Sequence, residues 1–150
     1  MSKILETKKG ETILVDDEDY PVLSRLTWFI DGGYAQTVIN GKKVRLHHII
    51  KPVVGNGQPR RVVDHIDRNP LNNTKENLRF CSVSQNCMNS KRASRTGYTG
   101  VFQGSKNSYR AMIGRKRLGN FKTPVEAAKA YNDAAIIEYG EFACLNKLQS

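Results

Sequence analysis

The first half of the chain alternates apolar and polar residues in short runs. ILET and TILV, on either side of a KKGE turn, predict two short strands within residues 3–15. From Asp16 to Leu26 acidic residues come first and apolar ones later, the polarity of a short helix whose N-terminus favours negative charge. Trp28, Phe29, Tyr34, Ala35, Thr37 and Val38 flank Asp31-Gly32-Gly33 as a hairpin, and Asn40-Gly41 is a second turn signal. VRLHHII, residues 44–50, reads as a strand running into a short helix that Pro52 ends.

A polar loop over residues 55–61 follows, then a strand, VVDH. A polar loop runs to Asn77, LRFCS is a second strand, and Ser82 with Gln85 has the spacing of a capping box for a helix over Val83–Ser90. The order over residues 61–90 is strand, long polar loop, strand, helix. KRASRTG, residues 91–97, is basic, poor in apolar residues and reads as a linker. TGVFQ, SYRAMIG and RKRLGNF predict three short strands. In the second, Ala111 and Ile113 share one face while Arg110, Met112 and Gly114 share the other; in the third, Arg115 and Arg117 share a face. Thr123 as N-cap, Pro124 at the first helical position and Glu126 as capping-box partner start a helix that ends at Tyr139, before Gly140. Its Ala127, Ala128, Tyr131, Ala134 and Ala135 make a small-residue face that can sit close on a sheet.

Charge changes the picture more than length does. In 150 residues there are 24 Lys and Arg against 14 Asp and Glu, a net charge of +10, which points to a polyanionic partner. Residues 1–90 hold 13 basic and 10 acidic side chains, net +3; residues 91–150 hold 11 and 4, net +7. From Lys91 to Arg117 there are eight basic residues and no acidic one, a local positive surface. Cys81, Cys87 and Cys144 are too few and too irregular for a disulfide framework, and without a CxxC pair they do not suggest a structural zinc site. Reduced thiols, no apolar N-terminal leader and no membrane-length apolar run lead to the expectation of a cytoplasmic protein with no membrane partner.

The chemistry concentrates at the end of VVDH. A strand that stops at Asp64 and His65 can direct both toward one site, although neighbours within a strand point apart. His65 can act as a general base near neutral pH. Asp64 and the amide oxygen of Asn86 suit a hard cation, and Asn77 can steady the imidazole through its side-chain carbonyl. A base beside a divalent cation is a layout for phosphodiester hydrolysis. Asn and Asp also populate loops for their local turns, so the pair is informative only with its partners.

Those partners stand at family spacing. DHIDRNPLNNTKENLRFCSVSQNCMN resembles the HNH motif of phage and intron-encoded homing endonucleases, with Asn77 twelve residues after His65 and Asn86 nine further on. The resemblance spans about residues 44–90. It implies a ββα-metal fold, His65 as general base, Asp64 and Asn86 as ligands of one divalent cation, magnesium or manganese, and Asn77 orienting His65. The third motif letter is often His; Asn86 in its place implies a more magnesium-like site. His47, in LHHIIKP, resembles an upstream element in which a His packs beside the active site, a structural or phosphate-facing role rather than a catalytic one.

YTGVF, YRAMI and RLGNFKTPVEAAKAYNDAAIIEYGEFACLN, over residues 97–146, resemble the AP2 DNA-binding domain. That resemblance implies a three-stranded antiparallel sheet, backed by a helix, that enters the DNA major groove, with Arg115 and Arg117 at groove-facing positions; Arg110 is outward by alternation and is expected to bind DNA with them. Phe102, Gln103 and Gly104 replace the arginines of plant members, so no target sequence is implied. Lys91, Arg92 and Arg95 are expected to hold phosphates or a minor groove.

The expected architecture is α+β: residues 1–90 as a β-rich segment and HNH core (motif 61–90), a basic linker at 91–97, and an AP2-like domain at 98–150. The expected function is metal-dependent hydrolysis of double-stranded DNA, of homing or mobile-element type, leaving a 5′-phosphate and a 3′-hydroxyl. One active site per chain favours nicking unless two chains pair, and a monomer is expected. The rival readings are a DNA-binding regulator with a non-catalytic HNH scaffold and, on charge alone, an RNA-binding module.

Overall fold

In the computed structural model, which describes residues 1–53, 61–90 and 94–148, the predicted strands form four small antiparallel sheets. Strand β1 (Ser2–Glu6) pairs with β2 (Thr12–Asp16), and the period-two pattern buries Leu5, Ile13 and Val15 while Ile4 stays exposed. Helix α1 is only Tyr20–Leu23, shorter than the acidic-to-apolar run suggests. Strand β2 claims Asp16, the Lys75 ammonium pairs with Glu18 and Asp19, and Pro21 fits only a first helical turn.

Strands β3 (Phe29–Asp31), β4 (Tyr34–Ile39) and β5 (Lys42–Arg45) make a meander. Its two turns need left-handed backbone: Gly32 and Gly33 in one, Asn40 at φ +51° and Gly41 at φ +75° in the other. Strand β5 runs directly into α2 (Leu46–Ile50). Trp28, Ala35 and Leu46 join Leu5, Ile13, Val15 and Leu23 in one core. The Trp28 indole donates to Leu23 O at 2.8 Å, so its polar edge is satisfied inside that core.

Strand β6 (Arg61–His65) pairs with β7 (Leu78–Ser82) in a register that sets Asp64 opposite Arg79 and His65 opposite Leu78. The capping box opens α3 (Val83–Met88): Ser82 N donates to Gln85 Oε1 at 2.9 Å and Gln85 N to Ser82 Oγ at 3.1 Å. The helix stops at Met88, two residues before its predicted end.

The chain divides into two compact units, Met1–Asn86 and Cys87–Ser150. In the second, β8 (Val101–Gln103), β9 (Tyr109–Ile113) and β10 (Lys116–Phe121) form a sheet in the order β10-β9-β8. The third strand starts one residue later than RKRLGNF predicts. Ile113 pairs with Lys116, which leaves Gly114, at φ +55°, and Arg115 to reverse the chain. A bulge between Arg117 and Gly119 turns Leu118 toward the core. Helix α4 (Pro124–Tyr139) has the predicted capping box and ends at Gly140. Ala127, Ala128, Tyr131 and Ala135 pack it on Val101, Ala111 and Ile113. Contact is close enough that a Cβ on Gly100, at φ +75°, would fall 2.1 Å from the Tyr131 ring. Asn146 clasps the tail to Thr99 and Asn132: its amide exchanges hydrogen bonds with the Thr99 backbone, and its backbone with the Asn132 amide.

Candidate active site

The end of β6 is where the first unit gathers ionisable groups. Val63, Asp64 and His65 are all buried, and the last two are 5% and 6% exposed. Asp64 Oδ2 accepts from Arg79 Nε at 2.9 Å, and Arg79 Nη2 lies 2.9 Å from the same oxygen. The cross-strand register produces this contact. Motif spacing does not single out Arg79; the β6–β7 register brings it to Asp64.

The polar loop after His65 is a hydrogen-bonded knot built on Asp67. Its Oδ1 accepts from Asn69 N and Asn77 Nδ2, each at 2.8 Å, and its Oδ2 accepts from Asn72 Nδ2 at 2.8 Å. Burial acts to raise the Asp67 carboxyl, but those bonds and the nearby His65 outweigh it and hold the group below its ordinary value. Arg68, at φ +64°, makes the left-handed step that folds the loop back.

Asn77 was expected to steady His65 through its side-chain carbonyl. That carbonyl instead accepts from Asp67 N at 3.0 Å, and its amide also donates to Asn72 O at 2.8 Å. Through its backbone, Asn77 O takes Ile66 N at 2.9 Å and fixes the residue after His65. The side chain facing the imidazole is Asn73: its Oδ1 lies 3.2 Å from His65 Nε2. Nothing in the spacing singled Asn73 out from its neighbour Asn72.

Two aromatic contacts close the other side. The His47 ring stands perpendicular to His65 at 5.1 Å between centroids, and Tyr34 lies 5.5 Å from His47 and 6.3 Å from His65. The Arg45 guanidinium covers Tyr34 at 4.6 Å from the ring centre. His47 is buried, and that burial, with His48, His65 and Arg45 nearby, pulls its pKa down to about 3. His48 is exposed on α2, its pKa lowered chiefly by desolvation and then by Arg45. Burial also lowers His65, against the raising effects of Asn73, Asp67 and Asp64, so its imidazole is neutral at pH 7 and able to accept a proton.

Asn86 lies half-buried on α3, the helix that follows β7 directly. Among the described residues, no three His, Cys, Asp or Glu side chains converge as a metal-binding group.

A family model described as HNH endonuclease matches residues 47–88, the segment from His47 through α3. An uncharacterized HNH endonuclease of Acanthamoeba polyphaga mimivirus is 34% identical over 152 residues, covering 97% of this chain and 80% of that protein. The chain belongs to the HNH endonuclease family. It is thus placed among hydrolases that cleave DNA, and the Asp64–His65 strand end, Asn77 and Asn86 all fall inside the matched segment. No solved structure matches it.

In the second unit the outer sheet face is mixed. Phe102, Arg110 and Asn120 are exposed and lie in one cross-strand row, and Arg117 is exposed opposite Met112. Arg115 is exposed in the turn rather than on the strand with Arg117. Arg95 is exposed; Lys91 and Arg92 lie outside the described residues. No helix is long and apolar enough to cross a membrane among the described residues.

Proposed function

We propose that this HNH endonuclease is a metal-dependent enzyme of homing or mobile-element type that cuts double-stranded DNA, the first unit performing the chemistry and the second gripping the duplex. The observation behind the chemistry is the strand end itself: a carboxylate and a neutral, buried imidazole at adjacent positions, followed by a hairpin and a short helix bearing Asn86. This order fits the ββα-metal arrangement.

His65 accepts a proton from water as the water oxygen bonds to phosphorus. The bond from phosphorus to the 3′-oxygen breaks, that oxygen is protonated from solvent, and a 5′-phosphate remains. Asn77 holds the chain on the far side of His65 through Ile66 N and Asp67. Asp64 and Asn86 offer one carboxylate and one amide oxygen, hard donors too few to enclose an ion alone, which suits a cation that keeps waters and binds substrate phosphate. A bound magnesium or manganese ion would supply charge neutralisation at the scissile phosphate and departing oxygen. Arg79, on Asp64 Oδ2, fixes the carboxylate's orientation.

What supports the AP2-like reading of the second unit is its three antiparallel strands with one helix on the apolar face. Arg110, Arg115 and Arg117, all exposed, are proposed to meet the major groove, with Lys91, Arg92 and Arg95 on the backbone. One site per chain favours nicking of one strand unless two chains pair.

The test is cleavage of plasmid carrying the DNA that flanks the protein's own gene, with magnesium or manganese. Wild-type protein should nick or cut it, EDTA should stop the reaction, and His65→Ala should abolish cleavage while keeping affinity. Cleavage by His65→Ala at the wild-type rate would refute the assignment of the base. Tight binding without any cleavage by the wild type would favour a DNA-binding regulator.

A further inference from the structure

We infer that Asn73 is the residue that positions the catalytic imidazole, and that the N-terminal hairpin, through Asn73, is part of the active-site scaffold. The inference rests on the reading of His65 as general base and deepens it by assigning which ring nitrogen does the work.

Asn73 is wholly buried, at 0% exposure, an unusual place for an amide unless each end has a partner. Its Nδ2 donates to Pro70 O at 3.1 Å. A carbonyl can only accept, so this bond decides which end of the amide is nitrogen and turns Oδ1 toward His65. Oδ1 also can only accept. The proton of the neutral ring therefore resides on Nε2, 3.2 Å away, and Nδ1 is left with the lone pair that takes a proton from water.

The position of Asn73 is set from outside the nuclease motif. Asn73 N donates to Leu14 O at 2.8 Å, Leu14 N donates to Leu71 O at 2.8 Å, and Leu14 and Asn72 form a parallel bridge. Two residues on, Lys75 N donates to Asp16 Oδ2 at 2.7 Å. Strand β2 thus holds residues 71–75 by their backbone, and β2 is itself anchored by Ile13 and Val15, both fully buried. The perpendicular His47 ring limits rotation of His65 on the other side. Residues 1–16, outside the matched family segment, thereby help fix the geometry of its base.

The first measurement is ¹⁵N imidazole NMR of the wild-type protein without DNA, above pH 7, with His65 assigned by comparison with His65→Ala. A proton on Nε2, slow to exchange with water, is expected; a proton on Nδ1 would overturn the inference without any Asn73 variant. The second is single-turnover cleavage by Asn73→Leu, which cannot accept, and Asn73→Asp, which can. Asn73→Leu should lose the protected Nε2 proton and cleave about 100-fold more slowly at unchanged DNA affinity, and Asn73→Asp, which keeps an acceptor for Nε2 but sets a second oxygen against Pro70 O, should recover the signal and only part of the rate. A folded Asn73→Leu protein that cleaves at the wild-type rate, or keeps the Nε2 signal unchanged, would also overturn it. Should His65→Ala cleave normally, the general-base reading fails, while the NMR result still decides whether Asn73 sets the tautomer.

Discussion

Acidification from pH 7 to pH 5 should destabilise the first unit through His47, an imidazole that the fold keeps from charging. Its pKa is pulled from 6.5 down to about 3, first by burial and then by the neighbouring histidines and Arg45. Below pH 6.5 the unfolded chain takes up a proton on His47 that the folded chain refuses. Stability therefore falls as the pH drops from 6.5 toward about 3, at up to about 1.4 kcal/mol per pH unit, and this contribution levels off below that. Between pH 7 and pH 5 the loss from His47 alone is about 2 kcal/mol, a large share of a domain's usual margin. His48 and His65 are shifted the same way and add to it.

Trp28 makes the assay specific. It is the chain's single tryptophan and is 3% exposed in the core of the first unit, so its fluorescence reports unfolding there. Urea titrations at half-unit steps from pH 7 to pH 5 should give a falling free energy of unfolding for the wild type. His47→Gln, which cannot titrate, should lose about 2 kcal/mol less over the same range. Equal slopes for the two proteins would refute the idea that His47 is held neutral by its surroundings; a flat wild-type profile would refute it for all three histidines.

Four further outcomes follow from the same geometry. Because burial lowers the His65 pKa, the cleavage rate should hold its plateau below pH 6.5 and fall only under the shifted value; a half-maximal rate at or above 6.5 in a pH–rate profile would contradict this. Gly100→Ala combines a left-handed backbone with a Cβ driven into the Tyr131 ring, so it should destabilise the second unit by about 2–4 kcal/mol, read from hydrogen exchange of the β9 amides. Arg79→Leu takes the guanidinium from a carboxylate 5% exposed and should cost the first unit about 3 kcal/mol by Trp28 fluorescence; a loss under about 1 kcal/mol would remove the pair from any account of stability. Arg115→Ala with Arg117→Ala should weaken DNA binding and reduce the slope of log affinity against log salt by about 2, and an unchanged slope would take these two arginines out of the contact.

Much of the fold could be read in advance where local chemistry is decisive. The Asn40-Gly41 turn, the Ser82–Gln85 capping box and the Thr123–Pro124–Glu126 helix start all form as their residues predict, because each depends on backbone angles and hydrogen bonds within four residues. Helix α1 fell short because its acidic residues are used by Lys75, more than fifty positions away, a partner that no local pattern contains. Arg115 moved from strand to turn because pairing of Ile113 with Lys116 sets the reversal point, and strand register depends on the partner strand as much as on alternation.

The candidate site divides along the same line. Asp64, His65, Asn77 and Asn86 could be assigned to their strand end, loop and helix in advance, because motif spacing encodes which element presents each. His47 is marked by its resemblance to an upstream element, whereas Arg79, Asn73 and Tyr34 meet Asp64 or His65 only through tertiary contacts: a cross-strand pair, a loop clamped by β2, and a strand of a separate sheet. Among these, Asn73 separates two accounts of the N-terminal residues. If they were only a stabilising appendage, loosening their hold would lower stability and leave the chemical step of the folded enzyme intact. If β2 holds residues 71–75 so that Asn73 meets Nε2, a variant such as Asp16→Ala, which removes the acceptor of Lys75 N, should also slow cleavage by protein that remains folded and bound to DNA.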